Sequence, residues 1–238
     1  MKKTQAGFTL LELMLASALS LLLISGLLQI YLTVQKNFIV QNALATIEEN
    51  GRFAVHFLEK NIRMAGYAEC VAEGLPDPSS AIRGYQDQLP AYLQGKVAKG
   101  NDSIEIGRCQ KLANEEQFLQ EAYIISDSGR KNALGGKIYA LYVAPMSGNK
   151  RELVSGITQM QIRYGIASVD GRDIANYLPA AQISDWSAVR AVEITLLLSS
   201  EQPVFHKAKS YTFAGMNLPP DRLLHGEWNV YIYLRERS

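Results

Sequence analysis

Between Lys3 and Lys36 the only strongly ionisable side chain is Glu12, set inside the apolar run from Phe8 to Val34. A carboxylate at helix-centre depth in a bilayer is unfavourable by about 2.5 to 3.5 kcal/mol, less near the membrane edge, so something should compensate it. A cut between Gly7 and Phe8 would supply that compensation. It would create an α-amino group one helical turn before Glu12, and the carboxylate could pair with that ammonium, its own or that of a neighbouring chain. Glu12 would also gain from the positive end of the helix dipole. Were the chain cut between Gly7 and Phe8, the chemistry on offer would be charge pairing, with Glu12 as one half of the contact.

Other residue types that could carry chemistry lead less far. His56, His206 and His225 are far apart, and none belongs to an H-E-x-x-H or a Cys/His zinc spacing. Around Gly129, Gly135, Gly136 and Lys137 a phosphate loop fails, because Lys131 stands where a glycine is required and Ile138 replaces the Ser or Thr. No G-x-S-x-G nucleophile elbow occurs. Asp170 and Asp173, with Arg172 beside them, are a thin set for Ca²⁺, which takes about 6 to 8 oxygens, and read better as a polar turn. Cys70 and Cys109 are the two cysteines, both beyond the apolar segment. An even count in an exported domain suggests one disulfide, and two unrelated buried thiols are the alternative. The expectation is a protein with no enzymatic activity, no cofactor and no metal.

The elements that must position Glu12 begin with the apolar run itself. About 20 apolar residues cross a bilayer as a helix, so 8–34 is long enough to span. A cleaved secretory signal is shorter, about 7 to 15 residues in its apolar core, and ends at a small-x-small site. Lys2 and Lys3 keep their end in the cytoplasm by the positive-inside rule, which exports the C-terminal bulk. Ala16, Ser17, Ala18, Ser20, Ser25 and Gly26 either let neighbouring helices approach or reflect ordinary membrane-helix composition.

Beyond Val34 the apolar residues narrow to a stripe of Val40, Leu44, Ile47, Ala54, Leu58, Ile62 and Ala65, with Gln41, Glu48, Glu49, Arg52, Glu59, Lys60 and Arg63 opposite. The same helix continues, and unbroken from Phe8 to Ala65 it would be about 87 Å long. Gly66 is its expected C-cap. After Gly66, short alternating runs separated by turn residues predict antiparallel strands at 103–106, 122–125, 137–143, 157–164, 189–198 and 227–235, with 71–100 a long surface loop. In the last two strands Val192, Ile194, Leu196 and Leu198 share a face, as do Trp228, Val230, Ile232 and Leu234.

The fold class is α+β: a long N-terminal helix, transmembrane in its first half and amphipathic in its second, packed on a C-terminal antiparallel β-sheet domain. The divisions are a basic leader at 1–7, a transmembrane segment at 8–34, an amphipathic helix at 35–66 and a β domain at 67–238. The 238 residues hold 24 Lys+Arg against 23 Asp+Glu, a net charge of +1, which leaves no basic field for nucleic acid.

Lys2-Lys3 followed by Gly7, Phe8, Thr9, Leu10, Leu11 and Glu12 resembles the class III signal of type IV prepilins and type II secretion pseudopilins. Glu49-Asn50-Gly51-Arg52-Phe53-Ala54, Ile62-Arg63-Met64-Ala65-Gly66-Tyr67 and Cys70 resemble the PilW family of minor pilins. So do Leu153-Val154-Ser155-Gly156-Ile157, Gln161-Ile162-Arg163-Tyr164-Gly165 and Trp186-Ser187 before Val189-Arg190-Ala191-Val192. The resemblance implies that a prepilin peptidase cuts after Gly7 and methylates the Phe8 amine, and that Glu12 contacts a neighbour's Phe8 amine during assembly. It implies a structural subunit of the inner membrane and then the pilus fibre or tip, serving adhesion and twitching motility. The implied partners are other minor pilins, the major pilin, a PilY-type tip adhesin and the assembly platform. A type II secretion pseudopilin of the GspJ kind is the near alternative, and a membrane-anchored periplasmic enzyme or binding protein is a second.

Overall fold

The computed structural model describes residues 9–67, 70, 81–86, 89–112, 115–168 and 173–234. By internal contacts the chain divides into two units, Met1–Asn42 and Ala43–Ser238. One helix, α1 (Leu10–Arg63), supplies most of the first and opens the second. In the N-terminal unit every described side chain from Thr9 to Ile39 is exposed. The hydroxyls of Ser17, Ser20, Ser25 and Thr33 donate back to carbonyls three or four residues earlier, at 2.7–2.9 Å. The three serine donors are thus satisfied within the helix, and from Leu13 to Leu28 its outer surface presents almost nothing but hydrocarbon.

In the second unit the helix buries Ile47, Gly51, Ala54, Leu58 and Ile62, spaced by three or four residues. The expected stripe is corrected at its start, because Leu44 is 45% exposed, and extended at Gly51, which no hydropathy count would select. The helix ends at Arg63 rather than Ala65. Met64 and Ala65 tighten the last turn by donating to Asn61 and Ile62, and Gly66, at φ +85°, turns the chain so that its N–H reaches the Gly107 carbonyl at 2.8 Å.

Eleven strands are described: β1 (Ile82–Tyr85), β2 (Ser103–Leu112), β3 (Glu115–Lys131), β4 (Lys137–Pro145), β5 (Arg151–Ser155), β6 (Ile157–Ala167), β7 (Ile174–Pro179), β8 (Val189–Ser199), β9 (Lys209–Phe213), β10 (Met216–Asp221) and β11 (His225–Tyr233). They form an antiparallel meander β1-β2-β3-β4-β5, a second sheet β11-β8-β6-β7 and a separate hairpin β9-β10. Each of the six expected strands is present, and β2 and β3 run well past the expected ends. The other five are short or carry prolines and charges, which hides their alternation.

Gly156 joins the two large sheets. It follows β5 directly and precedes β6, donating to Tyr139 of β4 and accepting from Ser199 of β8. Its φ of +81° and the Ser199 oxygen 2.9 Å from where a Cβ would stand leave room for glycine only. The main core gathers the buried face of α1, the inner faces of β2, β3 and β4, and those of β6, β8 and β11. Val192, Ile194, Leu196 and Leu198 are all in it, as are Ile232 and Leu234, with Trp228 and Val230 packed against it.

The expected long loop at 71–100 is corrected within its described residues. It contains β1 and a single 3-10 turn at Ala91–Leu93. Leu93, with Tyr92 and Val97 beside it, covers Ala122, Ile124, Ala140 and Ala144 on the far face of the meander. The small residues of β3 and β4 on that face let the segment lie close, so the meander is buried on both sides.

Candidate functional site

The residues about Glu12 form a local unit that their types dictate. Thr9 N–H donates to Glu12 Oε2 at 3.0 Å and Thr9 Oγ1 donates to the same oxygen at 3.1 Å, while the Glu12 N–H donates to Thr9 Oγ1 at 3.3 Å. This is a capping box, a threonine before the first helical residue and a glutamate three positions on, each satisfying the other's free N–H. Thr9 was missed as a functional residue, although the T-x-x-E spacing before an apolar run signals it. The box holds the Glu12 carboxylate at the helix N-terminus, against the Thr9 N–H and hydroxyl. Gly7 and Phe8, the expected cut, lie outside the described residues.

Cys70 and Cys109 are disulfide-bonded, with Cα atoms 5.9 Å apart, and tie the segment after α1 to β2. Two backbone bonds flank the link: Gly66 N–H to Gly107 O at 2.8 Å and Cys109 N–H to Tyr67 O at 2.7 Å.

The motif residues distant in sequence meet in the second unit. Asn50 Nδ2 donates to the Ser155 carbonyl at 3.1 Å, next to the Gly156 sheet switch. Gly51, one residue on, faces Trp228 so closely that a Cβ would stand 2.4 Å from the indole. Tyr164 and Trp186 pack edge to face with ring centroids 4.9 Å apart. The first two contacts fasten α1 to both sheets, and the third packs Trp186, just before β8, on β6.

Asn101 and Asp102 do related work that the sequence did not announce. Their side chains accept from the N–H groups of Met160 and Ile162 at 2.6 and 2.8 Å, along the stretch of β6 that has no strand on that side. Read in sequence, Gly-Asn-Asp suggests only a turn.

His56 and His206 are exposed, whereas His225 lies between Ser199 Oγ and Asp221 Oδ1, 2.9 Å from each through Nδ1 and Nε2. A serine, histidine and carboxylate in line invite a hydrolytic reading. Ser199 is nearly fully buried, however, and its oxygen is shared with Thr158 Oγ1 at 3.2 Å, so the line clips the β9-β10 hairpin to β8 and presents no nucleophile. Near the expected polar turn, Ser168 N–H donates to the Asp173 carbonyl at 2.8 Å, while Asp170 and Arg172 lie outside the described residues. Among the described residues no group of three or more His, Cys, Asp or Glu is placed to hold a metal.

The arrangement is that of an apolar helical anchor with a carboxylate at its start and a disulfide-tied β unit after it. The family described as Type IV Pilus-assembly protein W matches residues 122–231, and the Prokaryotic N-terminal methylation motif matches residues 2–28. No curated protein matches the chain. Among solved structures, the Type IV-like pilin TTHA1219 from Thermus thermophilus is similar at 12% identity, with 82% of this chain and 96% of that chain covered and a TM-score of 0.42.

Proposed function

We propose that the chain is a minor pilin of the PilW type with a role in pilus assembly, that it is processed after Gly7, and that it enters the priming or tip complex of a type IV pilus through Glu12. Prepilin peptidase cuts between Gly7 and Phe8 and methylates the new amine. The leader stays in the cytoplasm, the apolar half of α1 crosses the inner membrane, and the β unit lies in the periplasm until assembly. The observation that carries this reading is Glu12 itself, capped by Thr9 at the first turn of a helix whose following 27 residues, 13–39, are all exposed and contain one charge, Lys36.

In the bilayer the capping box satisfies part of the carboxylate's demand for donors, and the Phe8 ammonium of an adjacent subunit supplies the charge it still lacks. Stem helices then pack by van der Waals contact, with the small residues at Ala16, Ser17, Ala18 and Ser20 permitting close approach. The partners are other minor pilins and the major pilin, with a PilY-type adhesin where the subunit stands at a tip. Mass spectrometry of the N-terminus tests the reading. A mature chain beginning with methylated Phe8 is expected, and one beginning at Met1 overturns it.

A further inference from the structure

Between the last turns of α1 and the meander lies a cleft of about 370 Å³. Its apolar wall is Phe57, Val143 and Leu153, and its charged residues are centred on Glu121. Two arginines share that glutamate. Arg108 stands 3.6 Å and Arg151 3.7 Å from it, both beyond hydrogen-bonding distance. The other acid of the cleft, Glu152, is already taken by Arg130 at 2.5 Å and by the Tyr142 hydroxyl at 3.1 Å. With Arg130 counted, three guanidinium groups face two carboxylates, in a chain whose charges otherwise nearly cancel.

Burial differs between the two arginines in a useful way. The side chains of Arg108 and Glu121 are each only 12% exposed, so their charges interact through a partly dry medium, whereas Arg151 is 73% exposed and free to swing. Behind them the Tyr123 hydroxyl is fully buried beside Arg108. Burial raises its ionisation to about 12, with Arg108 pulling the other way, which places the hydroxyl within the influence of this cluster.

Phe53 lies beside the cleft. It stacks on Phe57 at 6.1 Å between centroids, and yet it is 52% exposed. An exposed aromatic ring stacked on the wall of a cleft that also holds arginine is the composition that concentrates binding energy at protein interfaces. A small acid could fill the charged part but would leave Phe53 uncovered, so the partner must extend past the cleft.

We propose that this cleft docks a segment of a neighbouring pilus subunit that bears an aspartate or glutamate, held by Arg151 and Arg108, beside an apolar side chain laid on Phe53 and Phe57. The identity of the partner as a pilus subunit rests on the function proposed above; the chemistry of the contact does not. Arg151, being exposed and outside the core, can be reversed in charge without loss of the fold.

The test uses the full chain in piliated cells, with p-benzoylphenylalanine in place of Phe53 as the photo-crosslinker and mass spectrometry of the crosslinked peptide. The expected product joins position 53 to a pilus subunit within four residues of an Asp or Glu. Arg151→Glu should lower its yield about tenfold, and changing that acid to Arg should restore it in the Arg151→Glu background. An unchanged yield in Arg151→Glu overturns the proposal, as does a crosslinked peptide with no acid near the junction. A chain that is processed at Phe8 and assembled but gives no crosslink overturns it while leaving the pilin reading intact; an unprocessed chain with no pili overturns the pilin reading itself.

Discussion

Glu12 and Thr9 act as a pair. Thr9 supplies two donors to the carboxylate and Glu12 returns its own N–H, so the charge is partly satisfied before any partner arrives. On the proposed function, removing the carboxylate should leave insertion of the helix intact, because insertion would depend on the apolar run, and should remove the proposed assembly contact. Glu12→Ala is expected to reach the membrane in normal amount and to reduce pilus number several-fold in electron micrographs; unchanged piliation would count against the pairing. A second pair, Gly51 and Trp228, sets how near α1 can come to β11. Gly51→Ala places a methyl group 2.4 Å from the indole and should destabilise the β unit by about 1 to 3 kcal/mol, as overpacking does. In the Trp228→Leu background the same change should cost less than in the wild type, and simple additivity in urea melts would show that the two do not touch.

At the scale of elements, the long helix is held at its C-terminal end by a covalent link as well as by packing. The Cys70–Cys109 bridge closes a separation of 39 residues between the end of α1 and β2. On the chain-entropy argument Cys70→Ser should lower stability by about 3 to 4 kcal/mol, read as a fall in Tm that reducing agent reproduces in the wild type and does not add to in the variant. Equal Tm values with and without reductant would remove the bridge from the account of stability. How far each element could be read from the sequence followed from its burial. The strands β8 and β11 alternate or run apolar because they face the core directly, and their inward residues were identified correctly. β1, β5 and β10 were not identified, since each is short, lies at a sheet edge or in a separate hairpin, and carries arginine, glycine or proline where alternation would show. Leu93 and Val97 were hidden for a different reason: they cover the meander from an irregular segment with no period to detect.

For the whole molecule, the tyrosines are a shared liability at high pH. Tyr85 is pushed up to about 12 by burial and then by the neighbouring Glu105 carboxylate, to which its hydroxyl donates at 3.1 Å. Tyr92 is raised by burial and by its own hydrogen bond to Glu105. Burial also carries Tyr123 and Tyr142 to about 12 and raises Tyr164. In the unfolded chain these phenols ionise near pH 10, so between about pH 10 and 12 the unfolded state loses protons that the folded state keeps. Stability should be level up to about pH 10 and fall through that window. Urea unfolding at pH 8, 10 and 11, with phenolate absorbance followed in parallel, checks this, and stability that is flat to pH 11.5 would contradict it.

The sequence by itself determined a helix long and apolar enough to cross a membrane, the cut at Gly7 and Phe8 as an expectation, the anomaly at Glu12 and the α+β class. All of these depend on local composition and on periods of two or 3.6 residues, which a linear chain displays. It also carried the T-x-x-E spacing of the capping box, legible though not read. Only the tertiary structure decided that Asn50 meets Ser155, that Gly51 makes room for Trp228, that Gly156 moves the chain from one sheet to the other, and that Arg108, Glu121 and Arg151 share a cleft. Each of those contacts joins residues brought together by sheet topology and register, and no local pattern encodes a distance between strands that pair across the fold. Glu12 belongs partly to both: its place in the chain suggests the proposed contact, and the capping geometry holds its carboxylate on Thr9 at the helix N-terminus.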